Sequence, residues 1–188
     1  MAELGRRLHA LLSAWVEETG YKGKFFIEPG RYVVAECGVL LGTVHATKFN
    51  GENRYVGTDL GFNVLVRPAM YDSFHDIEIF RDGGEPDTDL VEQSIVGNIC
   101  ESGDILAKKR MLPLIKEGDI VAALDAGAYG FVMSSSYNQR PRAAEAVHDR
   151  AGRAADAVLD GLAVDGTSAL FERLALFKHG DLLIRTEL

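Results

Sequence analysis

Between Val33 and Gly127 the chain never runs far without a turn residue. GVLLGTVHATKF, RYVGTDLGF, HDIEIF, LVEQSIVGN and DIVAALDAG are short, rich in β-formers, and parted by Gly, Asn and Asp. The stretch is therefore confined to a mainly β domain, an antiparallel barrel or sandwich. FNGENR and RDGGEPDTD are its predicted exposed loops. With 188 residues, 47% of them hydrophobic, the chain can bury one such core and carry a piece of a second domain.

The flanks read differently. In MAELGRRLHALLSAWVEETG, Leu4, Leu8, Leu11, Leu12, Trp15 and Val16 share one helical face, and Gly20 is a stop. KFFIE (Lys24–Glu28) predicts a short apolar strand. After Pro141, RAAEAVHDRAGRAADAVLDGLA is alanine-rich and predicts a helix over 143–163. Its stripe is Val147, Ala151, Ala154, Ala155, Val158 and Leu162, and Gly152 is the weak point. LALFKHGDLLIRTEL predicts either a hairpin turning at His179–Gly180 or a helix followed by a strand. The expected division is 1–31, 32–145 and an atypical tail over 146–188.

A net charge of −8 argues against a nucleic-acid partner. Cys37 and Cys100 are too few for a disulfide framework, and neither the cysteines nor the five histidines show metal-ligand spacing. A reduced, cytoplasmic setting is expected. The N-terminal segment lacks an uninterrupted apolar stretch of signal-peptide type, and no apolar run approaches membrane-spanning length.

Four segments concentrate chemistry. EPGR (Glu28–Arg31) offers a carboxylate and a guanidinium from one corner, suited to an aromatic nitrogen cation and a phosphate, or else is a strand-ending turn with a surface ion pair. RPAMYDSFH (Arg67–His75) sets Arg67 and Tyr71 four apart at a turn or helix start; Arg67 suits a carboxylate or is a rim arginine, and Tyr71 is a ligand or a core residue. In GNICESGD (Gly97–Asp104), Cys100 is a proton donor, a nucleophile or an inert buried residue, beside Glu101, which suits an ammonium. DAGAYGFVMSSSYNQRPR (Asp125–Arg142) sets Tyr129 between Gly127 and Gly130, either to approach a phosphate or as a packed turn aromatic.

In this order, EPGR, DLGFN with RPAMYDSFH, GNICESGD and DAGAYGFVMSSSYNQRPR resemble the C-terminal part of the pyridoxal-phosphate-dependent ornithine/diaminopimelate/arginine decarboxylases, the diaminopimelate branch in particular, over roughly residues 5–145. The resemblance implies a Greek-key-like β-domain of the decarboxylase C-terminal type. It also implies roles: Glu28 against the cofactor's ring nitrogen, Gly30 at the cofactor, Arg31 at cofactor and substrate, and Tyr129 at the cofactor phosphate and substrate. Arg67 and Tyr71 would meet the substrate's distal end, Cys100 would donate the proton after carbon dioxide leaves, and Glu101 would hold the distal ammonium. The cysteine loop is expected to reach a neighbouring subunit's site, so the partner is a second copy or a barrel-bearing chain. A distal carboxylate needs a cation such as Arg67, which favours diaminopimelate over ornithine.

The departures are equally definite. Residues 1–31 resemble only the last helix and strand of the family's (β/α)8 barrel. The barrel's cofactor-binding lysine, stacking histidine and glycine-rich phosphate loop have no counterpart, and Lys22, Lys24, Lys48, Lys108, Lys109, Lys116 and Lys178 match no such motif. The expected function is the C-terminal domain of an enzyme converting meso-diaminopimelate to L-lysine, incomplete as a lone chain. The alternative is a non-catalytic dimerisation or regulatory partner derived from one.

Overall fold

The computed structural model describes residues 2–148, 154–159 and 182–186. It begins with helix α1 (Ala2–Thr19), where Glu3 pairs with Arg6 and Arg7 in the opening turns. Gly20 ends it with φ +67° and an N–H bond of 2.8 Å to the Val16 carbonyl, the left-handed stop that glycine permits. The strand expected over Lys24–Glu28 does not form. A strand needs a ladder partner, and none of the described strands pairs with this stretch. Two 3₁₀ turns, Gly30–Val33 and Ala35–Cys37, lead into the sheet.

The β body follows the turn signals closely. Strand β1 (Gly38–Asn50) folds back through Gly51 and Glu52 onto β2 (Asn53–Thr58), with Asn50 opposite Asn53 and Gly51 at φ +61°. A short helix α2 (Arg67–Tyr71) opens with Pro68 beside Arg67. Then come β3 (Ile77–Phe80), β4 (Leu90–Val96), β5 (Ile105–Pro113) and β6 (Ile120–Ala123). The sheet is mixed rather than wholly antiparallel. β2 and β4 run parallel because the long excursion through α2 and β3 returns the chain in the same direction.

The strands follow the path β5–β4–β2–β1, and β1 continues through β6 to β3. The two ends of this half-barrel are bridged by arginines. Arg110 of β5 donates to the His75 carbonyl at 3.1 Å, and Arg81, just past β3, donates to the Leu114 carbonyl at 3.0 Å. Arg81 also grips buried Asp119 bidentately, both contacts at 2.8 Å. Inside lie Leu40, Val44, Val56, Leu60, Ile95 and Val121; Val39, Leu41 and Ala122 pack together in a second cluster. The alternation along β1 separates the two sets.

β5 escaped the sequence reading. Lys108, Lys109 and Arg110 break its apolar alternation. Lys109 sits at φ +46° in a bulge, its N–H bonded to Ser94 Oγ at 2.9 Å, and the β4–β5 register shifts between Gln93 and Ile95.

The tail corrects a second expectation. Residues 144–148 and 154–159 are strands, β7 (Ala144–His148) and β8 (Ala154–Leu159), not helix. A third strand, β9 (Leu182–Thr186), pairs antiparallel with β7 and parallel with β1. Alanine propensity is a weak preference, and an open strand edge on β1 overrides it. The remainder of the expected helix and the His179–Gly180 turn lie outside the described residues. Among the described residues no helix is long and apolar enough to cross a membrane.

Candidate functional site

The loop Gly97–Asp104 is built around its last residue. Buried Asp104 accepts the Phe62 N–H at 2.6 Å and the Ile99 N–H at 2.7 Å. Burial raises its carboxyl above the usual range, against the pull of those two amides. A Cβ at Gly97 would lie 2.3 Å from the Asp104 carboxylate and 2.5 Å from the Leu60 carbonyl, so only glycine fits. The clamp leaves Cys100 and Glu101 exposed at the loop tip. The inert buried cysteine is thereby excluded. Glu101 folds back weakly, taking Ser102 Oγ and the Gly103 N–H at 3.3 Å each.

A second group forms around Arg67. Its guanidinium carbon stands 5.8 Å from the Tyr71 ring centre and 5.6 Å from that of Tyr129, within cation–π range of both. α2 ends at Asp72, left-handed at φ 51°, which lets Ser73 turn back and accept an Arg67 N–H at 3.1 Å. Tyr129 is itself left-handed, at φ 57°, an uncommon conformation for a residue carrying a side chain.

EPGR arrives on the far side of the tyrosine. Gly30 adopts φ +52°, and a Cβ there would stand 3.7 Å from Tyr129 Oη. Gly127 fixes this arrangement by a route the spacing did not suggest. A Cβ at Gly127 would lie 2.0 Å from the Val34 carbonyl, and the Gly127 N–H bonds to the Ala35 carbonyl at 3.0 Å. Its bareness lets two backbones touch.

His75 joins the two segments. It is buried, with Nδ1 2.8 Å from the Leu124 carbonyl, so Nδ1 carries the donated proton. Burial holds the imidazole below its usual range, and the nearby charges of Arg67 and Arg31 act in the same direction. Arg31, Arg67, Tyr71 and Tyr129 are thus gathered on one side of the half-barrel. Glu28 is exposed in the arm that precedes them. Among the described residues no hydrogen bond or ring contact ties Cys100 or Glu101 to Arg67, Tyr71 or Tyr129, although Gly103 of the same loop lines one hollow with Ser73 and His75. Nor do any three His, Cys, Asp or Glu side chains among the described residues gather as a metal would require. Sequence reading passed over Asp104 as a clamp; the signal available was an acid closing a glycine-bounded loop.

The half-barrel is a sheet domain of the decarboxylase type, with one arginine between two tyrosines and a clamped loop bearing a thiol and a carboxylate. The chain belongs to the family of the pyridoxal-dependent decarboxylase C-terminal sheet domain, whose model matches residues 31–127. It is 50% identical over 123 residues to the diaminopimelate decarboxylase of Archaeoglobus fulgidus, a match taking in 65% of this chain and 28% of that enzyme. The Escherichia coli diaminopimelate decarboxylase is 42% identical over 139 residues, 69% of this chain and 33% of the enzyme. A crystal structure of diaminopimelate decarboxylase superposes with a TM-score of 0.67 at 36% identity, covering 87% of this chain and 40% of the other. The Helicobacter pylori enzyme complexed with L-lysine gives 0.56 at 37% identity, with 63% and 28% covered. The chain spans a third or less of the two curated relatives it matches here.

Proposed function

We propose that this chain acts as the C-terminal domain of a meso-diaminopimelate decarboxylase, supplying one wall of a site that releases carbon dioxide and leaves L-lysine. The carrying observation is Arg67, held between Tyr71 and Tyr129 with one donor committed to Ser73. A guanidinium so placed suits a planar carboxylate at the substrate's far end; ornithine has none, and the charge would then go unmatched.

The residues fit one side of pyridoxal phosphate. Glu28 matches a ring-nitrogen cation, and Arg31 and the Tyr129 hydroxyl match a phosphate. Gly30, with no side chain, leaves the approach to Tyr129 Oη open. When bound, the cofactor supplies the electron sink for loss of carbon dioxide. Tyr71 and Arg67 orient the distal end of the substrate. Cys100, at the loop tip, holds a proton on Sγ for return to the substrate carbon, and Glu101 takes the distal ammonium. The exposed loop tip is free to serve the site of a neighbouring copy, in a composite dimer, as the family resemblance implies.

The test is a covalent fusion of this chain to the portion of the Archaeoglobus fulgidus enzyme that precedes its sheet domain. In the active fusion, Arg67→Ala should lose a charge-assisted bond worth about 1.5–3 kcal/mol, roughly 10- to 150-fold in kcat/KM for meso-diaminopimelate. Unchanged kinetics would remove the substrate assignment.

A further inference from the structure

The cysteine loop and the turn that leads to Arg67 are fastened to one short stretch of chain, residues 59–63. From the loop, Asn98 donates through its N–H to the Leu60 carbonyl at 3.1 Å and through Nδ2 to the Asp59 carbonyl at 2.7 Å. From the stretch, the Phe62 N–H donates to Asp104 Oδ1 at 2.6 Å. Ile99 lies against the bare face of Gly61, where a Cβ would stand 2.6 Å from its Cγ1. The same stretch opens the turn toward α2: the Gly61 carbonyl accepts the Val64 and Leu65 N–H groups at 3.0 and 3.2 Å, just ahead of Arg67.

Asp104 is the residue that holds the loop both to this stretch and to itself. While Oδ1 takes Phe62, Oδ2 takes the Ile99 N–H at 2.7 Å. Its own N–H donates to the Glu101 carbonyl and its carbonyl takes the Gly97 N–H, at 3.1 Å each. Cys100 therefore stands between two residues, Ile99 and Glu101, that are each bonded to Asp104. The geometry needs two oxygens, each accepting one amide. Asparagine offers a single acceptor oxygen and would turn an NH2 group toward the other amide.

We propose that Asp104 is a positioning residue for the return of the proton: it sets the direction in which Cys100 Sγ is presented to the reacting carbon, and acts through Cys100. This rests on the role given to Cys100 above. At that step the S–H bond breaks as a C–H bond forms on the carbon that lost carbon dioxide, and the thiolate takes its next proton from water. A donor misplaced by about 1 Å costs about a hundredfold in rate, and it leaves the carbon open to water from either face.

The test is a double-mutant cycle in the fusion described above, run in D2O with meso-diaminopimelate. Asp104→Asn should lower kcat at least tenfold. It should also change the deuterium at the product carbon from one configuration to a mixture of both, read by NMR. Cys100→Ala should do the same, and the two changes together should lower kcat no further than Cys100→Ala alone. Additive losses, or a single configuration kept in Asp104→Asn, overturn the proposal. Val121→Ala, buried in β6, is the control for lost stability: it should lower the melting midpoint and leave the configuration as it was.

The chain alone gives a second reading. With Cys37→Ser in place, Asp104→Asn should change the rate of Cys100 alkylation by iodoacetamide at least threefold under native conditions, and Val121→Ala should not. Equal rates in all three chains count against the proposal as decisively as the cycle. A fusion that decarboxylates a different amino acid removes the substrate assignment and leaves the cycle readable on that substrate. An inactive fusion removes the functional reading, and the alkylation rates then decide the role of Asp104.

Discussion

The sheet body and the N-terminal arm are written in the same apolar alphabet and end in opposite states. In the body, Leu40, Val56, Leu60, Ile95 and Val121 are sealed from water by strands the chain itself provides. In the arm, a leucine stripe of equal regularity buries no residue fully: Leu4, Leu8, Leu12 and Val16 are half-buried and Leu11 is exposed. Hydrophobic periodicity states which face wants burial; it does not state which chain supplies the cover. The body closes because β1 reaches β2, β6 and β9 at once. Among the described residues the arm meets the body where Gly30 lies beside Tyr129 and Val34 beside Gly127.

The contrast is broken most forcefully at Arg81. Arg81→Ala leaves Asp119, 2% exposed, as an unpaired buried carboxylate, and should cost about 3–5 kcal/mol in urea unfolding. Leu11→Asp on the arm should stay within about 0.5 kcal/mol of wild type in the same experiment. Comparable losses would mean that the arm belongs to the folded unit after all.

Gly127→Ala acts on the junction itself. A methyl 2.0 Å from the Val34 carbonyl must push the backbones apart, at about 1–3 kcal/mol by the usual cost of overpacking. Amide exchange should rise over 30–37 while that of β2 and β4 stays as it was; a uniform rise would show that junction and body unfold together.

An effect of similar size is expected from Asp104→Ala, which strands the Phe62 and Ile99 amides for about 1–3 kcal/mol and frees the loop carrying Cys100. Faster reaction of Cys100 with a bulky maleimide, with Cys37 replaced by serine, checks it.

The least effect comes from His75. Its folded-state protonation is depressed by burial, so below about pH 6.5 the unfolded chain takes up a proton that the folded chain refuses. Stability should therefore fall as pH drops below that value, by at most about 1.4 kcal/mol per pH unit, until the folded imidazole also titrates. His75→Asn keeps a donor for the Leu124 carbonyl and should remove this component, read as the difference in urea midpoint between pH 7 and pH 5.5. An unchanged pH dependence in the variant would show that His75 is not the group responsible.

Much of the body was legible, because β1, β2, β3, β4 and β6 each carry a short apolar run bounded by turn residues. β5 was not, because a bulge at Lys109 throws its alternation out of step. The tail was misread because helix preference is local, whereas pairing with β9 and β1 is not. Lys24–Glu28 was misread for the converse reason: it has strand residues and no neighbour to pair with. At the site, Arg67, Tyr71 and Tyr129 were each singled out by their motifs, but that their side chains meet was not legible. Nor was the work of Gly127 and Asp104, since both act through backbone contacts formed by segments far apart in sequence.

The seam bridged by Arg81 and Arg110 gives the half-barrel an unusual tolerance. Two strand edges locked by a ladder must agree in register, residue against residue. Edges spanned by guanidinium groups need agree only within the reach of a flexible side chain. A one-residue slip in the β1–β2 turn, by contrast, would throw a whole face out of phase. The molecule thus closes one part of its perimeter by register-bound ladders and another by side-chain reach alone.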